Sequence, residues 1–254
     1  QTAGFSYAQP EVALVFDNSV FGWTGPVVGR RYRLQVSRSM GDLAFNEALI
    51  DFRNYTNVKR KLVIAARVLA LTRFGDRADR FGLYWGGPYY VRGYDYRSFD
   101  PRGAECTESR ETGDRLSLSR CPVRDQLVGS SAAFVNAELR FPIIEELQIG
   151  FIGSFPPIDA VAFFDGGLAW DEQVCAVHDY AQRDGCAPGQ SAPVRLAWRR
   201  GPDDDPFLVR APVFSYGLGL RINVFYAVLR LDYAIPHDRP DRGGIFSLSL
   251  GPGF

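Results

Sequence analysis

Apolar and polar side chains take turns along this sequence with a period of two, in one segment after another. At the end of the chain Phe246, Leu248, Leu250 and Phe254 share one parity, and Ser247, Ser249, Gly251 and Gly253 share the other. Tyr216, Leu218, Leu220, Ile222 and Val224 stand against Gly217, Gly219, Arg221 and Asn223. Val135, Ala137, Leu139 and Phe141 oppose Asn136, Glu138 and Arg140, and Leu229, Leu231 and Tyr233 oppose Arg230 and Asp232. Upstream, Tyr32, Leu34 and Val36 oppose Arg31, Arg33 and Gln35, while Ala48, Ile50 and Phe52 oppose Glu47, Asp51 and Arg53. Leu62, Ile64, Ala66 and Val68 carry the pattern past Arg67. A repeat of two is the side-chain period of a β-strand. The fold class is therefore all-β, and a composition with 26 Gly, 16 Pro and 14% aromatics agrees.

The next question is which solvent the apolar face meets. The apolar run Leu62 to Leu71 is too short for a transmembrane helix and is interrupted by Arg67. A membrane-crossing strand needs only about 9–11 alternating residues. A water-soluble sandwich alternates too, but its polar face favours Lys, Glu and Thr. Here that face mixes glycines with single Arg, Asp and Glu residues, and only Lys59 and Lys61 among the 29 cations are lysines. Arginine, with its planar fork of donors, suits a confined network of ion pairs. The 29 basic and 29 acidic side chains cancel, which argues against nucleic acid or another polyanion as partner.

Nine strands are expected, near residues 11–17, 27–38, 43–53, 58–73, 130–141, 159–170, 213–224, 227–235 and 244–254. Short links at Met40–Asp42 and Asn54–Asn57 contrast with two long connections, residues 75–127 and 171–212. Short turns on one side and long loops on the other are the habit of outer-membrane barrels. Closed bacterial barrels have even strand numbers, and the sequence starts at Gln1 with no leader-like segment. Further strands are therefore expected upstream.

All four cysteines fall in the two long loops. Four cysteines allow three connectivities; Cys106–Cys121 and Cys175–Cys186 close the shortest rings and would place the loops in an oxidising compartment. His178 and His237 read as solvated loop residues, and Asp203 to Asp205 as an acidic loop tip. With no catalytic or metal-ligand motif, neither enzymatic activity nor a cofactor or metal is expected.

The first long loop carries Val91-Arg92-Gly93-Tyr94, preceded by Gly86-Gly87 and the aromatics Tyr84, Trp85, Tyr89 and Tyr90. Downstream follow Asn136-Ala137-Glu138-Leu139-Arg140-Phe141-Pro142, Phe163-Phe164-Asp165-Gly166-Gly167, Gly217-Leu218-Gly219-Leu220-Arg221 and Leu229-Arg230-Leu231-Asp232-Tyr233-Ala234. In that order these segments resemble the bacterial surface antigen family, the BamA/TamA-type outer-membrane assembly and translocation barrels. The resemblance spans nearly the whole chain. It implies that residues 1–254 are the C-terminal part of a sixteen-stranded barrel, with residues 75–127 folded into the lumen and 171–212 an outer loop. It also implies that Arg92 meets Asp165 and Glu138 on the inner wall, that Gly93 permits close approach and that Tyr94 wedges against the wall. Phe246, Leu248, Leu250 and Phe254 resemble a C-terminal recognition signal, with Pro252 where an aromatic is usual. The implied function is assembly or secretion without chemistry. The implied partners are outer-membrane lipid (lipopolysaccharide or phospholipid), client outer-membrane or secreted proteins and periplasmic chaperones.

Two other readings fit the same pattern. One is a passive pore on the same architecture, with Arg31, Arg33, Arg67 and Arg221 lining an anion-preferring lumen. The other is a secreted β-sandwich adhesin with two loop disulfides.

Overall fold

The computed structural model describes residues 6–59, 61–75, 78, 82–100, 106, 121–145, 147–149, 153–175, 191–201, 204, 208–224 and 227–251. Chain order gives β1 (Tyr7–Ala8), β2 (Glu11–Asp17), β3 (Val20–Phe21), β4 (Pro26–Gly41), β5 (Phe45–Lys59), β6 (Leu62–Phe74) and β7 (Leu83–Tyr84). A short helix α1 (Pro122–Asp125) precedes β8 (Val128–Gly129), β9 (Ser131–Ile144), β10 (Leu147–Ile149), β11 (Gly153–Phe155) and β12 (Ile158–Trp170). Then come β13 (Gln173–Cys175), β14 (Ser191–Pro193), β15 (Arg195–Leu196), β16 (Val209–Arg210), β17 (Val213–Val224), β18 (Ala227–Pro236) and β19 (Ile245–Leu250).

One antiparallel sheet forms the wall, in the order β4-β5-β6-β9-β12-β17-β18-β19. The short β1, β2 and β3 lie end to end along the outer edge of β4, pairing with Met40 and Gly41, then Arg31 to Ser37, then Pro26 to Val28. The wall is thus nine strands wide, counting that interrupted edge as one. No further strand among the described residues joins its first and last members.

The sheet is inside-out relative to a soluble protein. Val135, Leu139, Phe141, Phe164, Tyr216, Leu218 and Leu248 are exposed on one face, while Asn136, Glu138, Arg140, Asp165, Arg221 and Asp232 are buried on the other. Among the described residues no second sheet covers the apolar face, so the sandwich reading fails. Glycines on the polar face leave room for what packs there. A Cβ on Gly167 would collide with the Val91 side chain, and one on Gly217 would come 2.7 Å from the Phe163 ring.

Two boundaries differ from expectation. Residues 54–57 do not form a turn: Asn54 to Asn57 pair with Ala66 to Val63, and β5 runs on to Lys59. The polar run Asn54-Tyr55-Thr56-Asn57 looks like a turn by composition, yet backbone pairing overrides it. The link between residues 144 and 158 carries its own hairpin, β10 against β11.

Because Leu218 is 66% exposed, water and lipid predict opposite outcomes for a charge there. Leu218→Arg is expected to cost about 2–4 kcal/mol in a bilayer and almost nothing on a soluble surface. Denaturant unfolding from lipid vesicles checks this.

Candidate functional site

The buried face is organised by the segment from Tyr84 to Phe99, which lies against β9, β12, β17 and β18. Its centre is Arg92, 2% exposed. The Arg92 Nε and Nη2 donate to the two oxygens of Asp165 at 2.6 and 2.7 Å, a bidentate fork, and its backbone N–H adds a third bond at 3.2 Å. Nη1 donates to Glu138 Oε1 at 2.7 Å and lies 3.6 Å from Asp232. The guanidinium also sits 3.6 Å over the Phe163 ring. Asp165, Glu138 and Asp232 belong to β12, β9 and β18, so one side chain gathers carboxylates from three strands.

The carboxylates are shared in turn. Arg140 reaches Glu138 Oε2 at 2.7 Å, and Arg221 reaches Asp232 at 2.7 Å and Glu138 at 3.2 Å. Asn136 donates to Asp165 at 2.9 Å and to the Tyr90 carbonyl at 2.7 Å. Opposite charges this close in a buried site attract strongly, and the gain must repay the loss of hydration; forked and shared hydrogen bonds make that possible. The carboxylates of β9, β12 and β18 also hold Arg92 firmly in its charged form, burial opposing them.

The flanking residues are clamped by other means. Gly93 has φ +84°, a left-handed conformation that suits glycine, and a Cβ there would come 3.1 Å from Ala234. Tyr94 is wholly buried; its hydroxyl donates to the Phe214 carbonyl at 2.8 Å and lies 3.0 Å from Asp238. Burial pushes the Tyr94 phenol up, out of reach of ordinary pH. Arg239 donates to the Gly93 carbonyl at 3.1 Å and to Ser98, and it stacks 3.8 Å over Phe99. Val91 joins Trp85, Leu127, Phe134 and Val213 in an apolar cluster. Sequence reasoning named Arg92, Gly93, Tyr94, Glu138 and Asp165, and the structure brings them together.

It also adds members that sequence reasoning did not single out for this site: Asp232, Arg140, Arg221 and Arg239. The parity of Arg230 and Asp232 was the available signal for Asp232. Nothing local pointed to the turn Gly22–Gly25, which crosses to the buried face: Thr24 donates to Asp159, and the Trp23 carbonyl accepts from Asn223. Nor was it foreseeable that Tyr89 donates to the Leu250 carbonyl at 2.9 Å. Phe246, Leu248 and Leu250 all point to the apolar face of β19, while Phe254 lies outside the described residues. Cys106 and Cys121 are disulfide-bonded. Cys186 and the side chain of Cys175 lie outside the described residues, as do His178, Asp203 and Asp205. No metal-ligand cluster occurs among the described residues.

An apolar exterior over a charge-paired interior, in one antiparallel wall with a loop docked inside, defines a transmembrane β-barrel of the outer-membrane kind. A model of the Omp85 superfamily domain matches residues 16–254, and the chain belongs to that superfamily, as a protein of the bacterial outer membrane. Among solved structures it is similar to BamA from Haemophilus ducreyi lacking POTRA domains 1–3, at 16% identity and a TM-score of 0.60. That likeness, one of fold, covers 95% of this chain and 41% of that one. No curated protein matches.

Two substitutions test the packing. Gly167→Leu is expected to expel Val91 and undock the loop, read as protease sensitivity between residues 84 and 99. Asp95, next to Tyr94, has its carboxyl pushed up by burial, with the Arg239 charge opposing. A raised folded-state value means that its stabilising contribution is present below the ordinary carboxylate range and is lost as pH rises through the folded value. Asp95→Asn should therefore flatten the decline in stability as pH rises above the ordinary carboxylate range, measured as denaturation midpoints.

Proposed function

We propose that this chain is the seam-bearing part of an outer-membrane assembly or translocation barrel. It would act on client outer-membrane or secreted polypeptides without chemistry, with periplasmic chaperones delivering them and lipopolysaccharide or phospholipid around the wall. The observation that carries this reading is a mechanical contrast. The wall from β9 to β18 is braced by the Arg92 network, whereas among the described residues β19 pairs with β18 over six, Ile245 to Leu250, with one further bond from the Gly251 N–H to the Val228 carbonyl. Six residues span roughly 20 Å, less than the hydrocarbon thickness of about 30 Å. A bilayer beside so short a strand thins to match it, and an edge strand pairs readily with an incoming one. Membership of the Omp85 superfamily and the likeness to BamA support the same role.

A passive anion pore fits less well. Each arginine that would line it has a carboxylate partner: Arg31 with Asp17 at 3.7 Å, Arg33 with Glu11 at 3.4 Å, Arg67 with Asp51 at 3.1 Å and Arg221 with Asp232 at 2.7 Å. The loop packs against Arg67, whose Nη1 donates to the Tyr89 carbonyl at 3.0 Å.

Arg92→Ala leaves three buried carboxylates short of a cation. It is expected to cost about 3–5 kcal/mol, with loss of heat-modifiable gel mobility and of client insertion into vesicles by the full-length protein. Arg92→Lys should recover part of each, since a point charge cannot form the fork. Unchanged insertion by a folded Arg92→Ala protein, or steady anion-selective conductance without any insertion, would overturn the reading.

A further inference from the structure

Beside the docked loop lies a cavity of about 140 Å³, lined by Arg53, Arg67, Arg92, Arg230, Tyr89 and Asn136 among others. Arg92 is fully matched by its carboxylates, but the other three guanidiniums are not. Arg53 and Arg67 share the single carboxylate of Asp51, at 2.6 and 3.1 Å. Arg230 is 2% exposed, and Asp232, its carboxylate partner at 3.8 Å, is already held by Arg221 at 2.7 Å. The Nη2 of Arg230 donates to the Pro88 carbonyl at 3.3 Å, and its Nε is buried with no acceptor. A buried cation without a matching anion is strongly disfavoured, and here one is built into a space holding roughly four to five waters' volume.

We propose that this cavity binds one tetrahedral oxyanion of the phosphate class, free or carried on a lipid headgroup, between Arg230, Arg53 and Arg67. Phosphate brings close to two negative charges and several acceptor oxygens at neutral pH, matching the surplus of cations and the orphaned Nε. Arg53 and Arg67 stand on β5 and β6, and Arg230 on β18. The anion therefore ties two distant stretches of the wall together across the loop. Tyr89, whose ring lies 5.7 Å from the Arg230 guanidinium, carries that tie to β19 through its bond to Leu250. The site rests on the barrel geometry and stands whether or not the protein inserts clients.

The test uses the full-length protein folded in maltoside micelles, which contain no phosphate, with thermal unfolding followed by heat-modifiable mobility. Inorganic phosphate is titrated against chloride at constant ionic strength, and a second arm adds phosphatidic acid to the micelles. Wild type is expected to show a saturable upward shift of a few degrees with at least one phosphate source. A response to phosphatidic acid alone identifies a lipid headgroup as the source. Arg230→Gln should lose the response. Should that variant not fold, Arg53→Gln, which should weaken half-saturation by tenfold or more, decides instead. No shift with either source, or an equal shift in wild type and a folded variant, would overturn the proposal.

Discussion

Arg92 can lie beneath the wall only because three strands present carboxylates to it. A guanidinium taken out of water without a partner would be intolerable, and so would Asp165, Glu138 or Asp232 alone. The bidentate contact to Asp165 at 2.6 and 2.7 Å and the bond to Glu138 at 2.7 Å make each group the condition for burying the others. Arg140 and Arg221 extend the arrangement, so that Glu138 serves three cations. The interior of this wall is a network of mutual neutralisation, occupying the place that an apolar core takes in a soluble domain.

That network sets what the rest of the buried face can be. A loop brought close enough to insert a guanidinium needs bare backbone opposite it. Gly167 faces Val91, Gly217 faces Phe163, and Gly219 lies against Asp232 and Arg221. The face is then divided along the strands. Toward the long loops, Leu69, Leu71, Trp85, Val91, Leu127, Phe134 and Val213 pack as an apolar cluster. The ion pairs occupy the middle. At the short-turn end, the Gly22–Gly25 turn bonds to Asp159 and Asn223. Outside, the exposed leucines, valines and phenylalanines are left to lipid, whose hydrocarbon replaces the missing second layer.

Much of this was legible in the sequence because the membrane enforces it residue by residue. Leu231 between Arg230 and Asp232, or Leu139 between Glu138 and Arg140, cannot exchange faces without placing charge in hydrocarbon, so parity alone sorted the two sides of each strand. The family resemblance that the motifs carry then implied the pairing of Arg92 with Asp165 and Glu138. What escaped reading lacks such enforcement. Asn54 to Asn57 can pair as a strand whatever their polarity, since backbone hydrogen bonds are indifferent to side chains. The turn Gly22-Trp23-Thr24-Gly25 shows that the chain reverses, not which way the turn leans. Tyr89 and Leu250 are joined by one hydroxyl across 161 positions, a contact that no local pattern encodes.

The separation of partners along the chain also orders assembly. Arg92 meets Glu138 and Asp165 at distances of 46 and 73 residues, and Tyr94 meets Asp238 at 144. Contacts this remote are closed late, because the intervening chain must first be organised. The loop cannot dock on β9 alone: Arg92 would then have Glu138 without the Asp165 fork, and Tyr94 would lack the Phe214 carbonyl of β17. Each strand added to the wall therefore completes part of the loop's seat, and only when β9, β12, β17 and β18 lie side by side are all of its polar groups met. Docking of Val91-Arg92-Gly93-Tyr94 is in this sense a check on the wall, satisfied by a correctly registered sheet and refused by one slipped by a single residue, which would turn Glu138 and Asp165 outward into lipid.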